Sequence, residues 1–355
     1  MAVRLKDIAR ELNLSIITVS KALRSNSDIS EATRQRVLAR MKELDYQPNM
    51  AARALATGLS STLGLIVPDL VNPFFAELAK SLGGFLRKED NGLILASSED
   101  DAEIEQAEIK MMLARGVDAL LIASCQATLE GFYNVHNQRT PFILVDRSFP
   151  QLRANFVGTD DYVGGVMATE HLLERGRRRL AHLGGPDLSP AVDRLRGFRT
   201  ALLDHGLQPR DGFILSRSRV EESGDEAGYA MMQELLRAKV RPNGVFCYND
   251  VTAIGAMEAT LNAGLSVPED IAFVGFGNVR YSKYLHIPLT SVEQSTEQLG
   301  EVAAQLALDL VAKKLDKPKT IKLQPTLAVR ASTGGEQAPP LPAKPSSPAR
   351  RRAKQ

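Results

Sequence analysis

The chain of 355 residues is 44% hydrophobic and 24% charged, which is ordinary globular usage and leaves room for two or three domains. No apolar run is long enough for a membrane span and no signal-peptide core opens the sequence, which excludes a membrane protein and predicts a cytoplasmic one. The two cysteines, Cys125 and Cys247, lie far apart between apolar neighbours, a pattern typical of buried free thiols. We therefore expect no disulfide, no metal site and no cofactor.

The formal net charge of +2 is unevenly distributed along the chain. Residues 1–58 carry ten Lys and Arg against six Asp and Glu, residues 59–333 carry 29 against 35, and the remainder carries five against one. A basic first segment ahead of an acidic body fits a DNA-binding head on a body that stays off DNA. Chance alone explains an excess of this size equally well.

The first predicted elements are two short helices joined by a tight turn. Apolar residues at helical spacing predict one buried face on each helix: Ile8, Ala9 and Leu12, then Val19, Ala22 and Leu23. Ser15 is a favourable N-cap for the second helix. Four residues of that helix remain on its exposed side: Ile16, Ile17, Ser20 and Lys21. Exposed β-branched residues at this place suit contact with base edges and thymine methyl groups in a major groove.

A third helix is predicted to begin after Ser30, a second N-cap candidate. Its apolar positions are expected to be buried: Val37, Leu38, Met41 and Leu44. Its basic residues are expected outside: Arg34, Arg36, Arg40 and Lys42. These basic side chains form either a solvated helix face or part of a DNA-binding surface, so three helices alone indicate DNA binding only weakly.

Four motifs in this segment follow one another in a specific order. They are Leu5-x-Asp7-Ile8-Ala9, Thr18-Val19-Ser20-Lys21-Ala22-Leu23, Thr33-Arg34-x-Arg36-Val37 and Leu44-x-Tyr46-x-Pro48-Asn49-x-Ala51-Ala52-x-x-Leu55. Through them the chain resembles the LacI/GalR family of bacterial repressors. The resemblance implies that Ile16, Ile17 and Lys21 read the operator sequence. Many relatives have arginine where Lys21 stands, and since lysine lacks the planar donor pair that binds guanine, the base preference stays open.

The predicted DNA contacts lie in a helix-turn-helix domain, residues 1–47, and in a hinge helix and linker, residues 48–61. They are Lys6, Ser15, Ile16, Ile17, Thr18, Ser20, Lys21, Arg24, Asn49, Ala52, Arg53 and Leu55. The hinge segment is too short to hold a helix alone in water, so we expect it to fold only against its copy in a second subunit and on DNA. Leu55 is either a simple interface leucine or, as the resemblance implies, a wedge that opens a base step from the minor groove.

From Thr62 the pattern changes to alternating strands and helices. The predicted strands are Leu63–Val67, Leu93–Ala96, Ala119–Ala123, Phe142–Val145, Phe156–Val157, Leu180–Leu183, Val245–Tyr248 and Ile271–Val274. The predicted helices include Phe75–Lys88, Ile104–Arg115, Arg194–His205, Ala253–Ala263 and Gln298–Lys313. This alternation predicts doubly wound parallel sheets, and two such units in tandem enclose a ligand cleft at the carboxyl ends of their strands.

The expected fold class is multi-domain: an all-α N-terminal helix-turn-helix DNA-binding domain followed by an α/β effector domain at residues 62–332. The resemblance implies that the effector domain has the periplasmic-binding-protein-like (type I) fold of two doubly wound subdomains. The expected subdomains are about 62–158 with 291–319, and about 159–290 with 320–332, with crossovers near residues 159 and 290. Residues 333–355, rich in proline, alanine and basic residues, are expected to form a disordered basic tail.

Candidate effector-binding residues follow the predicted strand ends or open a helix. They are Asp69, Asn72, Phe74, Phe75, Asp146, Arg147, Asp160, Arg194, Asn249 and Asn278. Each is singly more often a cap or turn residue than a ligand contact, but together they indicate one cleft. The resemblance implies that the phenylalanines stack on a ring and that Arg and Asn bind hydroxyls or charge. Relatives usually carry an acidic residue where Gly277 stands, and Arg147 with Arg194 favours an acidic ligand weakly.

The predicted function is a transcriptional regulator, expected to be a repressor, that binds a palindromic operator on double-stranded DNA as a homodimer. Its effector is expected to be a small molecule, either a sugar or a sugar-derived or acidic metabolite, with the protein nucleoid-associated when bound to DNA. A regulator whose signal is a partner protein, with a vestigial cleft, stays open, as does a ligand-binding protein without a DNA role. An enzyme is not expected, because no catalytic triad, metal cluster or phosphate-cradling loop occurs in the sequence.

Overall fold

The structure is a computed structural model, and it describes residues 3–23, 28–46, 54–55, 57–126, 128–132, 135, 140–149, 151–216 and 224–335. The chain divides into two compact units, Met1–Ser60 and Ser61–Gln355. No helix in these ranges is long and apolar enough to cross a membrane.

The described part of the first unit forms three helices around a small core. They are α1 Leu5–Glu11, α2 Ile16–Leu23 and α3 Glu31–Glu43. The buried apolar residues are Ile8, Ala9, Val19, Ala22, Val37 and Met41. Leu38 was predicted to be buried but is 36% exposed, because it lies about 100° around the helix from Val37. Val37 and Met41 are four residues apart and therefore share the inward face.

The second unit contains two parallel-stranded sheets. The strands of the first are β1 Thr62–Val67, β2 Gly92–Ser97, β3 Ala119–Ile122, β4 Phe142–Val145, β5 Asn155–Thr159 and β11 Thr320–Leu323. They pair in the order β2-β1-β3-β4-β5-β11, with Leu65 of β1 opposite Leu95 and Leu121. These apolar residues suit a sheet that is covered on both faces.

The second sheet repeats this strand order. Its strands are β6 Leu180–Gly184, β7 Ile214–Ser216, β8 Gly244–Cys247, β9 Ala272–Phe276, β10 Thr290–Glu293 and β12 Thr326–Ala328. They pair in the order β7-β6-β8-β9-β10-β12, and β12 is antiparallel to β10. The predicted pair of doubly wound subdomains is confirmed.

Helices cover both faces of each sheet. They are α4 Pro73–Lys88, α5 Ala102–Ala114, α6 Asp161–Glu174, α7 Ser189–Asp204, α8 Gly224–Arg237, α9 Asp250–Asn262 and α10 Thr296–Val311. Helices α4 and α10 pack on one face of the first sheet and α5 on the other. On the second sheet, α6 and α7 share one face, and α8 and α9 share the opposite face.

Two of the predicted subdomain boundaries are wrong. Residues Thr290 to Val292 of β10 pair with β9 and Glu293 pairs with Thr326 of β12, so the chain leaves the second sheet after Glu293 and not at residue 290. Residues 320–323 were assigned to the second subdomain but pair with β5, with Thr320 opposite Phe156. The reason is that β11 extends the parallel hydrogen-bond ladder of β5, with Asp160 N donating to the Leu323 carbonyl at 2.9 Å. The last crossing therefore lies between Leu323 and Thr326.

The predicted start of the disordered tail is also wrong. Thr333 is buried, and its Oγ1 lies 2.8 Å from Nε2 of His171 and 2.8 Å from Oγ1 of Thr290. These hydrogen bonds attach the end of the body to α6 and β10. Residues 336–355, which make up the rest of the predicted tail, lie outside the described residues.

The two cysteines are free thiols with different surroundings. Cys247 is fully buried, as predicted, whereas Cys125 is only partly buried. Burial, together with the nearby Glu105 carboxylate, raises the pKa of Cys125 to about 12. Neither thiol therefore has the lowered pKa of a reactive cysteine.

Candidate functional site

Helix α2 presents a mixed apolar and polar surface. Ser15 caps it, because its Oγ accepts a hydrogen bond from Thr18 N at 3.0 Å. Ile16 and Ile17 are 53% and 67% exposed, although both are large and apolar. Val19 on the opposite face is fully buried. The helix is therefore fixed by its inner face and leaves two isoleucines free for an external surface.

The charged residues of the first unit pair largely with one another. Lys21 on α2 forms an ion pair with Asp28, and this hydrogen bond lowers the pKa of Asp28. Arg40 on α3 bonds Glu11 of α1 at 2.6 Å and Glu43 at 2.6 Å. For Arg40 the structure therefore supports a role in joining α3 to α1.

The remaining predicted DNA contacts divide into described and undescribed residues. Lys6 is exposed on α1, and Thr18 and Ser20 are partly buried on α2. Ala54, Leu55 and Thr57 are helical, and Leu55 is 90% exposed. The other four predicted contacts lie outside the described residues: Arg24, Asn49, Ala52 and Arg53.

A cleft of about 540 Å³ lies in the second unit. It is bordered by residues that follow strands of both sheets, which is where doubly wound folds bind ligands. Eight predicted effector residues line it: Asp69, Asn72, Phe74, Phe75, Asp146, Arg147, Arg194 and Asn249. The sheet topology therefore brings together most of the set that the sequence singled out.

Several of these polar residues also hold the local backbone. Asn72 caps α4 by accepting from Phe74 N at 3.1 Å, and Asn249 caps α9 by accepting from Thr252 N at 2.8 Å. Both helices begin directly after a strand, so each cap fixes a turn at the border of the cleft. The cap role and the cleft position therefore occur in the same residues.

Two predicted effector residues do not line the cleft. Asp160 caps α6, accepting a hydrogen bond from Val163 N at 3.3 Å. The amide of Asn278 donates to Glu293 at 2.6 Å and accepts from Arg330 at 2.5 Å. Asn278 borders a separate cavity together with Glu293. Strand-end position alone misplaces both residues because their side chains are committed to neighbouring elements.

Both arginines of the cleft are buried in ion pairs. Arg147 bonds Asp100 at 2.5 Å, and Arg194 bonds Asp161 at 2.7 Å and 2.8 Å. Arg194 also donates to the carbonyl of Tyr248 at 2.7 Å, and its guanidinium stacks on Phe276 at 3.6 Å from the ring centroid. Since each guanidinium already holds a carboxylate, the two arginines no longer favour an acidic ligand.

Close helix packing places Arg194 beside Asp161. Gly165 of α6 and Gly197 of α7 face each other, and a Cβ on Gly197 would lie 2.3 Å from the carbonyl oxygen of Tyr162. Side chains larger than hydrogen at these positions would push the helices apart. The two glycines therefore bring the α7 arginine within reach of the first residue of α6.

Asp146 is the most perturbed carboxyl group in the cleft. It is 7% exposed and adopts a left-handed backbone conformation with φ 63°. Burial, and then repulsion by Asp161, raise the pKa of Asp146 to about 6, although Arg194 and Arg147 act in the opposite direction. A carboxylate of this kind lowers its free energy when an additional cation or donor approaches.

Sequence reasoning missed Gln294, Tyr248 and Phe276, which also line the cleft. Gln294 follows β10, and the polar sequence of that strand, Thr-Ser-Val-Glu, lacks the apolar run by which the other strands were predicted. Nε2 of Gln294 and Nε of Arg147 are buried and have no hydrogen-bond partner within the described ranges. Such donors favour a ligand with acceptor oxygens, because an unpaired buried donor is costly.

Gly277 has a backbone conformation that explains its identity. Its φ is +116°, which L side chains rarely adopt, and the position faces Oε1 of Gln294 at 3.5 Å from an added Cβ. An acidic residue at this turn would be strained. The conformation of the turn therefore explains why glycine, and not the acidic residue usual in relatives, stands at position 277.

The two units together define a class of protein. A small three-helix unit with exposed isoleucines on a capped second helix precedes a two-sheet body with a ligand cleft. No group of three or more metal-ligating side chains occurs where the structure is described. This combination defines a ligand-responsive DNA-binding regulator.

Comparisons with known proteins agree with this class. The family "Bacterial regulatory proteins, lacI family" matches residues 4–49, and "Periplasmic binding protein-like domain" matches residues 169–333. The protein named HTH-type transcriptional repressor PurR is 32% identical over 332 residues in Erwinia tasmaniensis and 31% identical over 338 residues in Escherichia coli O139:H28. Each match covers 92% of this chain and 96% of the relative.

Solved structures give the same result. The structure of the transcriptional regulator CelR–cellobiose complex matches with a TM-score of 0.70 and 28% identity, covering 93% of this chain and 99% of that one. The lac repressor dimer bound to operator and the anti-inducer ONPF matches with a TM-score of 0.81 and 25% identity, covering 94% and 99%. The chain belongs to the LacI family of bacterial regulatory proteins. It is a DNA-binding transcriptional regulator with a periplasmic-binding-protein-like domain, as the motifs predicted, and its relatives are repressors and not enzymes.

Proposed function

We propose that the protein is a repressor that binds a palindromic DNA operator as a homodimer and responds to a small molecule in its cleft. The observation that carries this proposal is the exposed surface of α2, where Ile16 and Ile17 are exposed on a helix whose opposite face is packed in the core. A two-fold dimer would place one such helix in the major groove of each half-site. The protein would then act in the bacterial cytoplasm, associated with the nucleoid, and it would have no enzymatic role.

In this proposal each residue of α2 has a separate role on DNA. Ile16 and Ile17 contact thymine methyl groups, whereas Lys21 leaves Asp28 to reach a guanine edge or a phosphate. In the absence of DNA, the ion pair with Asp28 neutralises the charge of Lys21 on α2. Because an exposed ion pair is weak, Lys21 can exchange Asp28 for a group on DNA. Ala54, Leu55 and Thr57 are helical, and Leu55 is the proposed minor-groove wedge.

The cleft supplies the regulatory half of the proposal. Ligand contacts shared by the two sheets would favour one relative arrangement of the two subdomains, and DNA affinity would change with it. Coupling of this kind is typically worth about 1–3 kcal/mol. The unpartnered donors on Arg147 and Gln294 support a small-molecule signal, because a buried donor without an acceptor costs free energy that a bound ligand oxygen would recover. A partner protein as the signal is the second candidate, and the absence of ligand binding to the cleft would favour it.

Operator selection with the purified full-length chain tests the proposed function. The Lys21→Ala variant should lose about 1–3 kcal/mol of operator affinity and relax the preference at one base pair. Lys42→Ala, a change to an exposed lysine on α3, is the matched control and should alter affinity little and preference not at all. If Lys21→Ala kept the wild-type affinity and base preference, α2 would not be the reading helix.

A further inference from the structure

The charges around the cleft are unequal. Among the described lining residues the cations are Arg147 and Arg194, and the carboxylates are Asp69, Glu99, Asp100, Asp146, Asp225 and Asp250. Asp100 and Asp161 already neutralise the two guanidiniums. The described surface of the cleft is therefore negative.

Asp146 is the buried carboxylate in which this excess is least compensated. Asp250 is also buried, but it accepts hydrogen bonds from Ser282 Oγ at 2.6 Å and from Val279 N at 2.9 Å. The Asp146 carboxylate accepts none from a described residue. It lies next in sequence to Arg147, whose guanidinium is held by Asp100. Arg147 and Arg194 act on the Asp146 carboxylate as positive charges, but each of these guanidiniums is already paired with another carboxylate. A ligand ammonium group would therefore be the first positive group bound directly to Asp146.

Unpaired donors and aromatic rings also line the cleft that contains Asp146. Nε2 of Gln294 and Nε of Arg147 have no acceptor in the described part of the chain. Phe74, Tyr248 and Tyr281 contribute rings to the lining of the cleft. Aromatic faces attract cations, and unpaired donors attract hydroxyl oxygens. The cleft therefore combines one site for a positive charge with two sites for neutral oxygens.

Resting on the proposed function, in which the cleft binds the effector, we propose that the effector carries a protonated amine beside hydroxyl groups, as an amino sugar does, and that Asp146 selects it. The ammonium group lies against the Asp146 carboxylate, and hydroxyl oxygens accept from Arg147 and Gln294. A sugar acid or sugar phosphate would bring its negative charge to Asp146 and find both guanidiniums occupied, so it is rejected.

A matched ligand series on the full-length chain tests this proposal. Glucosamine, glucose, glucuronate and glucose 6-phosphate, with their galacto and manno counterparts, are titrated by calorimetry and by thermal shift. In at least one series the amine should bind roughly tenfold more tightly than the neutral hexose, and the anions should not bind. The proposal is overturned if an anion binds most tightly, if amine and hydroxyl bind equally, or if no amine-bearing hexose binds at millimolar concentration.

Variants locate the preference. Asp146→Asn should reduce the ratio of amine to hydroxyl affinity to about one. Glu234→Gln removes the same charge from an exposed residue of α8 that does not line the cleft, and it should keep the wild-type ratio. An unchanged ratio in Asp146→Asn overturns the role of Asp146. Operator binding is measured on the same preparations. If the protein prefers the amine but binds no operator, the proposed regulator function is wrong and the ligand proposal stands. If it binds an operator without preferring the amine, only the proposed ligand class is wrong.

Discussion

At the scale of single residues, Asp100 and Asp161 determine what the arginines of the cleft can do. Each arginine is almost fully buried, and an unpaired guanidinium there would be costly to desolvate. Their carboxylate partners come from a loop after β2 and from the first residue of α6. The arginines are thereby neutralised and serve as fixed donors and stacking surfaces. Removing either carboxylate partner would leave a buried positive charge unpaired and would change the class of ligand that the cleft favours.

Asp146 makes stability depend on pH in a direction opposite to that of a salt-bridged aspartate. Its pKa is raised from 3.8 to about 6, so the folded state binds the proton more tightly than the unfolded state does. Its contribution is therefore most favourable below pH 4 and is lost as the pH rises through about 6. At neutral pH the ionised group destabilises the fold by an amount on the order of 2–3 kcal/mol.

The Asp146→Asn variant should accordingly be more stable than the wild type at pH 7.5. We expect a rise in Tm of roughly 5 °C there, which shrinks toward pH 4.5 because the wild-type carboxyl is then largely protonated. Calorimetric scans at both pH values check this, with Glu99→Gln as the control that should change Tm little at either pH. A loss of stability in Asp146→Asn at pH 7.5 would mean that the carboxylate is stabilised by the fold.

The individual residues of the cleft could be predicted only in part. Position after an apolar strand found Asp146 and Asn249, because the strand end is a local feature of the sequence. It could not find Asp100 or Asp161, which act through ion pairs to arginines distant in sequence. The acidic ligand suggested by the arginines depended on their being unpaired, and pairing is a property of the folded chain.

At the scale of elements, the crossing of α6 and α7 holds one side of the cleft. Gly197 allows the helices to approach so closely that a methyl group there would overlap the Tyr162 carbonyl. The same device recurs on the opposite face of the second sheet, where a Cβ on Gly255 of α9 would lie 1.8 Å from the Asp225 carbonyl oxygen of α8. Two glycine-mediated helix pairs therefore flank this sheet.

Substituting Gly197 by alanine should separate α6 from α7. We expect a loss of about 2 kcal/mol in the free energy of unfolding and weaker ligand binding, because Arg194 moves away from Asp161. Gly84→Ala is the matched control: it is also a helical glycine, but nothing lies within 4 Å of an added Cβ. That variant should gain about 0.5–1 kcal/mol from helix propensity. Denaturant unfolding of both proteins decides, and equal responses would contradict the close-packing account.

The hinge segment allows a separate prediction. Leu55 is 90% exposed, which is unfavourable for a leucine that meets only water. Leu55→Ala should weaken operator binding by about tenfold and nonspecific DNA binding far less, since only a specific complex pays for unstacking a base step. Leu59→Ala, an exposed leucine in the linker, serves as the control. Equal losses on specific and nonspecific DNA would contradict the wedge role.

Elements were predictable where their local pattern was strong. The apolar runs of β1, β4 and β8 announced strands, and the Ser30 cap marked the start of α3. Strands β7 and β10 to β12 were missed because they are short or polar, and their pairing depends on neighbours far along the chain. The pattern of apolar residues did not single out α6, because its glycines at 164 and 165 oppose helix formation locally and their use appears only at the crossing with α7.

At the scale of the whole molecule, one chain combines a helix-turn-helix DNA-binding unit with a body that contains a ligand cleft. The body is built from two sheets that the chain crosses three times within the described residues, the last time between β11 and β12. The segments that cross between the two sheets provide points about which the two subdomains can rearrange. A ligand that favours one arrangement would change the free energy of DNA binding by the same amount that DNA changes ligand binding.

The most direct test of this coupling is the operator affinity of the full-length chain with and without ligand. Fluorescence anisotropy on the selected operator is measured alone and with the hexose that most stabilises the protein at saturating concentration. We predict a change in Kd of about 5–150-fold in either direction. An unchanged Kd, when both operator and hexose bind, would contradict the claim that the cleft controls DNA binding.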